Sequence, residues 1–435
     1  MPIEIIPLGG FFEIGKNCVA IKADDEVVIL DIGLHMENYI NHTDREDIVD
    51  KSLKTLIKEE AVPDIQKIND LANKVVAICI GHAHLDHVGA VPYIANKFNC
   101  PIYGSPFTME VLKTILTDER IDINNELIEK KVDSSFKVSK NITVEFINAT
   151  HSTPQSVFIA VHTKYGTVLY ANDYKWDETP TLGKKPNERR LKELNVKVLI
   201  INCLYATNYA STSSEAFAKE QLREILLESD NEGKNIFLST FSSHISRLKT
   251  IAEFGRKMGR KVVFMGRSLG KYSLAAERAK VTKFENVEII KYGNKIKSFL
   301  MNVKKSQKYL FVMTGHQGEP KAALSKIVYQ NLFKFKPGDK MIFSCQIIPV
   351  EDNIINRERL EKALKEKHVK IYSDVHVSGH ASREDHRKFI NLIRPECIIP
   401  LHGDEPRMNS MKELAEEENI KSVYLLRNGE RKQIK

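Results

Sequence analysis

The chain has 435 residues, 42% hydrophobic and 28% charged, with a formal net charge of +8. That length predicts two domains, or one domain with a large insertion, and the composition excludes a disordered or fibrous chain. No apolar run suits a membrane span, the start MPIEIIPLGG lacks the layout of a secretion signal, and six scattered cysteines without a C-x-x-C pair point to a reduced, cytoplasmic protein.

In chain order, the first part reads as short strands: IEIIPLGG, NCVAIKA, EVVILDIG and, after a polar, helix-prone excursion over 41–74, VVAICI (75–80). PIYGS, a helix over 107–119, FKVSKNITVEFINATH and the hairpin SVFIAVHTKYGTVLYANDY follow, the last with its turn between alternating apolar residues. From about 206 the texture changes. EAFAKEQLREILLES and ISRLKTIAEFGRKMG read as helices, alternating with the buried-strand patterns NIFLSTF, KVVFMG, YLFVMTG and KMIFSC. Such alternation predicts a parallel sheet with ligand loops at the strand C-termini. The last stretch returns to VKIYSDVHVSGH, a helix and CIIPLHGD. The segment from Lys234 to Lys308 carries 18 Lys/Arg against 4 Asp/Glu, an excess of +14 that suits either a polyanion or solvated helix faces.

GHAHLDHVGA (81–90) places His82, His84, Asp86 and His87 within six positions, directly after an apolar strand. Alternate residues of an extended segment point the same way, so His82 and His84 can converge on one ion, with Asp86 and His87 facing a second. Crowding of this kind is costly unless a cation collects the groups. A His/Asp set without Cys suits catalytic Zn²⁺ or Mn²⁺ rather than a structural site. His151, Asp173 and His402 also follow apolar strands, and Asp31 ends VVILD, where a carboxylate can orient a ligand histidine.

With these motifs the chain resembles the metallo-β-lactamase superfamily, whose hydrolases use an αββα sandwich with two metals at the strand ends. HVSGHA (376–381) and PLHG (400–403) are similar to motifs of its nucleic-acid-processing β-CASP branch, and GGFFEIGKN (9–17) and TGHQGEP (314–320) resemble ribonuclease J. The resemblance spans essentially the whole chain, in an outline similar to the shorter archaeal forms. It implies that His82, His84 and His151 hold one zinc, that Asp86, His87 and His402 hold the other, and that Asp173 bridges. Two such cations lower the pKa of a shared water and stabilise charge on a phosphodiester transition state.

DVHVSGHAS (374–382) offers His376, Val377, Ser378, Gly379 and His380 as a phosphate cradle, with His380 able to protonate the leaving 3′-oxygen. Ser242, Ser243, His244 and His316 are further candidates for holding a 5′-phosphate, as the resemblance implies; relatives usually read TGSQGEP where this chain has His316. One position departs from the pattern. Relatives carry an acidic residue after the strand KVLII, and this chain has Asn202, an amide that cannot share a proton with His380 as a carboxylate can.

The expectation is an α/β chain with an αββα metallo-β-lactamase sandwich (1–205 and 367–435) and an inserted, Rossmann-like parallel-sheet β-CASP domain (206–366). Its expected activity is that of a zinc-dependent 5′-to-3′ exoribonuclease with a possible endonuclease mode, acting on 5′-monophosphorylated single-stranded RNA as a homodimer without membrane association. Asp86, His380, Asn202 and Asp31 are its expected catalytic and supporting residues, with Asn202 weakening activity. A catalytically silent RNA-binding factor and a DNA-directed β-CASP nuclease are the alternatives. The basic inserted domain argues against a small-molecule hydrolase.

Overall fold

A computed structural model of the chain describes residues 2–43, 49–348 and 351–435. The helix-prone excursion lies outside these residues at 44–48; within them it forms the helices Met36–Thr43 and Leu53–Lys58 and the 3-10 segment Ile65–Lys74. The chain divides into two compact units, Met1–Glu178 with Gly183–Thr212 and Gly379–Lys435, and Thr179–Leu182 with Ser213–Ser378. Among the described residues no helix is long and apolar enough to cross a membrane.

The first unit holds two seven-stranded sheets. One runs in the order Lys432–Ile434, Ile3–Gly9, Cys18–Ala23, Glu26–Leu30, Val75–Ile80, Ile102–Gly104, Leu127–Glu129. The other runs Ser422–Val423, Cys397–Leu401, Val196–Asn202, Gly166–Ala171, Val157–Thr163, Thr143–Asn148, Ser134–Lys137. Alternate residues of the first sheet face different cores. Val28 and Leu30 join a cluster with Phe146, Ile159 and Val168 of the second sheet, whereas Val27 and Ile29 pack with Leu56, Val91 and Leu112 from the helical side. On the second sheet, Phe389 and Ile390 of the helix Arg383–Ile393 and Met411 of Glu405–Glu417 cover the other face. Both sheets are thus buried on both faces, which is why their strands read as near-continuous apolar runs. The expected αββα sandwich is present.

Strand direction decides where the polar residues emerge. Glu26–Leu30 and Val75–Ile80 pair in parallel, as do Gly166–Ala171, Val196–Asn202 and Cys397–Leu401. Asp31, His82, Asp173 and His402 therefore leave strands at C-terminal ends, and Asn202 is itself the last residue of one.

The second unit carries a six-stranded, wholly parallel sheet in the order Val287–Ile290, Lys261–Met265, Tyr309–Met313, Ile236–Ser239, Lys340–Phe343, Lys370–Tyr372. This is the expected inserted parallel sheet. Its limits lie at 212/213 and 378/379, against 205/206 and 366/367 expected from sequence. Lys370–Tyr372 pairs with Lys340–Phe343, which carries 367–378 into this unit. Thr212 donates its Oγ1–H to the His380 carbonyl (2.7 Å) and its N–H to Asp385 Oδ2 (2.8 Å), which ties 206–212 to the first unit.

Candidate metal centre

Seven side chains from four separate stretches meet at the strand ends of the first unit. His82, His84, His151 and Asp173 present ligand atoms within 4.8 Å of one another, and so do Asp86, His87 and His402. His84 Nδ1 lies 3.1 Å from both His82 Nε2 and His151 Nε2. Asp173 Oδ2 lies 3.6 Å from His82 Nε2, 3.7 Å from His151 Nε2 and 3.5 Å from His87 Nε2. One carboxylate oxygen therefore serves both groups. Asp86 Oδ2 is 3.5 Å from His87 Nε2 and 3.8 Å from His402 Nε2.

Tautomers test whether a cation fits. His151 Nδ1 donates to the Gly379 carbonyl (2.6 Å) and His87 Nδ1 to Asp31 Oδ2 (2.7 Å). In each neutral ring Nε2 then carries a lone pair and lies 3.5–3.7 Å from Asp173 Oδ2, acceptor beside acceptor, an arrangement that a cation between them relieves. A tetrahedral zinc with bonds of about 2.0–2.1 Å needs donor–donor edges of about 3.3–3.4 Å, and the observed 3.1–3.8 Å brackets that value. Both groups suit zinc.

Comparison with known proteins agrees. Residues 13–200 match the metallo-beta-lactamase superfamily, 233–360 the ribonuclease J beta-CASP domain, and 367–426 the Zn-dependent metallo-hydrolase RNA specificity domain. The chain is 40% identical to ribonuclease J of Pyrococcus abyssi, covering 98% of this chain and 96% of that one. It is 38% identical to ribonuclease J of Methanocaldococcus jannaschii, over 99% and 98% of the two chains. The chain belongs to the ribonuclease J family. A crystal structure of a protein of unknown function from Enterococcus faecalis shares the fold over the full length of both chains, with a TM-score of 0.70 at 18% identity. Membership makes this chain a metal-dependent nuclease.

Electrostatics in this ribonuclease J family member favour the ligand forms of His82, His84, His151 and Asp173, whereas His87 holds a proton that a metal ion would displace. Burial holds His82 and His151 well below the usual histidine range and brings His84 down to about 4, so these rings are neutral at pH 7. Burial pulls His87 the same way, but Asp86, Asp173 and Asp31 reverse it and hold the ring well above its ordinary range. Burial opposes ionisation of Asp173, yet the charges of His380, His87 and His402 keep it well below the carboxylate range.

Asp31 lies behind His87. It is fully buried at φ 57°, with Oδ2 accepting from His87 Nδ1 and Tyr170 Oη (2.9 Å) and Oδ1 accepting from the Gly81 N–H (2.7 Å). Asn172 adds a weaker contact to Oδ2 at 3.3 Å. A Cβ on Gly81 would stand 1.7 Å from Asn172 Nδ2, so only glycine lets these segments meet. Asp31→Ala is expected to strand the buried donors of His87, Tyr170 and Gly81 and the weaker one of Asn172. It should cost about 3–5 kcal/mol in denaturant unfolding and weaken zinc binding on the order of 10–100-fold.

Three supporting residues escaped the sequence reading. Tyr170 and Asn172 reach Asp31 from one face of the strand end YAND. Asn17, the last residue of GGFFEIGKN, is fully buried with Nδ2 3.0 Å from His87 Nε2, and with Nδ2 2.7 Å and Oδ1 2.9 Å from His402 Nδ1. Gly10 (φ 86°) makes room for it, since a Cβ there would lie 2.6 Å from Asn17 Oδ1. The quoted motif was itself the available signal.

Of the expected substrate residues, His380 stands at the metal centre, with Nδ1 3.8 Å from Asp173 Oδ2 and its ring against His151 and His402. Gly379 backs it, its carbonyl held by His151. His376, Val377 and Ser378 belong to the second unit, as do Ser242, Ser243, His244 and His316. There Phe241 packs on His316 (4.2 Å between centroids) and His376 (6.4 Å). His244 caps the helix Ile245–Lys257 and faces Glu215 at 3.4 Å. Both ring nitrogens of His316 are buried without a hydrogen-bond partner among the described residues. Burial and the Arg357 charge bring this ring down to about 3, which keeps it neutral.

Proposed function

We propose that this chain is a zinc-dependent 5′-to-3′ exoribonuclease acting on single-stranded RNA with a 5′-monophosphate, with endonucleolytic cutting as a second mode. The observation that carries this reading is the pair of ligand groups sharing Asp173 Oδ2, in a chain of the ribonuclease J family. His82, His84 and His151 would hold one zinc and Asp86, His87 and His402 the other, with Asp173 between them. When bound, the pair supplies an activated water and draws charge from the phosphate oxygens.

The remaining steps fall to the chain's own groups. Asp31 fixes the His87 tautomer so that Nε2 faces the metal. His380, 20% exposed beside Asp173, is placed to pass a proton to the leaving 3′-oxygen. In the second unit, His316, His376, Ser378, Ser242 and Ser243 are the candidates for the 5′-phosphate. The partnerless nitrogens of His316 support that assignment, because a buried imidazole without a partner is costly unless a ligand or water completes it.

Single-stranded RNA also suits the lysine distribution. Between Ile289 and Gly318 there is no acidic residue, and Lys295, Lys297, Lys304, Lys305 and Lys308 are exposed, along with Tyr292. Aromatic and basic groups together suit single strands. A Lys295→Ala/Lys297→Ala variant is expected to bind RNA more weakly, with a slope of log affinity against log salt smaller by roughly 1.4. An unchanged slope would place the RNA elsewhere.

The deciding experiment incubates the zinc-loaded protein with end-labelled RNA and DNA bearing 5′-monophosphate, 5′-triphosphate or 5′-hydroxyl. Stepwise release from the 5′ end of monophosphorylated RNA, slowed by the triphosphate, is the expected result. Preference for DNA, or no cutting of any substrate with two zinc ions bound, overturns it. Running Asn202→Asp alongside measures how a carboxylate at that position changes turnover.

A further inference from the structure

We propose that Asn202 is a positioning residue for the metal centre: its carboxamide occupies Asp173 Oδ1 and so leaves Oδ2 alone to face the ligand groups. Asn202 ends the strand Val196–Asn202, which pairs in parallel with Gly166–Ala171 and with Cys397–Leu401. Ile201 stands opposite Ala171, two residues before Asp173, so the register brings Asn202 beside that carboxylate. Both side chains are buried, at 2% and 1% exposure.

The amide cannot be turned round. Leu204 N–H donates to Asn202 Oδ1 at 2.8 Å, and Asn202 Nδ2 donates to Asp173 Oδ1 at 2.5 Å. The flipped amide would set donor against donor at Leu204 and acceptor against acceptor at Asp173. The main chain therefore dictates that an N–H faces Asp173. A carboxylate at 202 has no such N–H to offer, whereas the carboxamide supplies one without taking up a proton.

The consequence falls on Asp173. An unrestrained carboxylate can rotate to grip one cation with both oxygens. Here Oδ1 is engaged, and Oδ2 alone lies 3.5–3.7 Å from His82, His87 and His151. The departure from the family's acidic residue thus has a role of its own, setting which oxygen is shared between the two groups.

This inference rests on the dinuclear reading of the site and not on the identity of the substrate. The test compares wild type with Asn202→Ala and with the near-isosteric Asn202→Leu, which preserves packing if the smaller side chain impairs folding. Zinc retention is measured against graded chelator, and the visible spectrum of the cobalt-substituted protein reports ligand geometry, with circular dichroism checking the fold. Outer partners of metal ligands are typically worth 10–100-fold in affinity. Both variants are therefore expected to lose zinc at about 10–100-fold higher free zinc than wild type, with altered cobalt bands and an unchanged fold. Wild-type retention together with a superimposable cobalt spectrum in both variants overturns the proposal. Wild type binding fewer than two ions overturns it together with the dinuclear reading, whereas two bound ions without RNA cleavage overturn the substrate reading alone.

Discussion

His84→Ala is expected to remove zinc and cleavage together while leaving the fold intact. His84 Nδ1 stands 3.1 Å from both His82 Nε2 and His151 Nε2, so its loss opens one group at its centre. The fold should tolerate the change for a local reason. His84 occupies the N-cap position of the turn Leu85–Val88 without making a side-chain cap, and it is only partly buried, whereas His82 is fully buried. Losing metal-supplied charge stabilisation costs several kcal/mol, and at about 1.4 kcal/mol per decade the rate should fall by three decades or more. Metal analysis, thermal unfolding and single-turnover cleavage of one preparation check all three parts. Zinc retained at wild-type level would remove His84 from the ligand set.

His380→Ala is expected to separate chemistry from metal binding. The ring meets the centre at Asp173, 3.8 Å away, and in face and edge contacts with His402 and His151. It belongs to neither group of candidate ligands. Its removal should therefore leave zinc content unchanged and lower the single-turnover rate by on the order of 10²–10⁴, the range for a positioned proton donor. The loss should shrink with an RNA whose leaving oxygen needs no proton, such as a 3′-bridging phosphorothioate. An equal loss on that substrate would instead make His380 a binding group.

Much of the centre was legible before the fold was known. His82, His151, Asp173 and His402 each stand within three residues of the end of an apolar strand, and His82, His84, Asp86 and His87 are crowded into one short stretch. Such crowding has no favourable structural use without a cation. The two-layer sandwich and the inserted parallel sheet were legible for a related reason, because strands buried on both faces are written as unbroken apolar runs and their alternation with helices signals parallel pairing.

What stayed hidden depends on partners far apart in sequence. Asn17 meets His402 across 385 positions, and Tyr170 reaches Asp31 across 139; neither residue type is unusual where it stands. That the strand Lys370–Tyr372 joins the sheet of the second unit was hidden, because it is three residues long and only its pairing with Lys340–Phe343 shows it. Asn202 is the sharpest case. By sequence it is a missing acid, and only the parallel register beside Asp173, together with the Leu204 N–H, reveals an amide held in one orientation. Residue type, spacing and apolar periodicity are local and determined which groups could bind metal. Which atom of each group faces the metal is set by hydrogen bonds between strand ends, and those exist only once the sheets have formed.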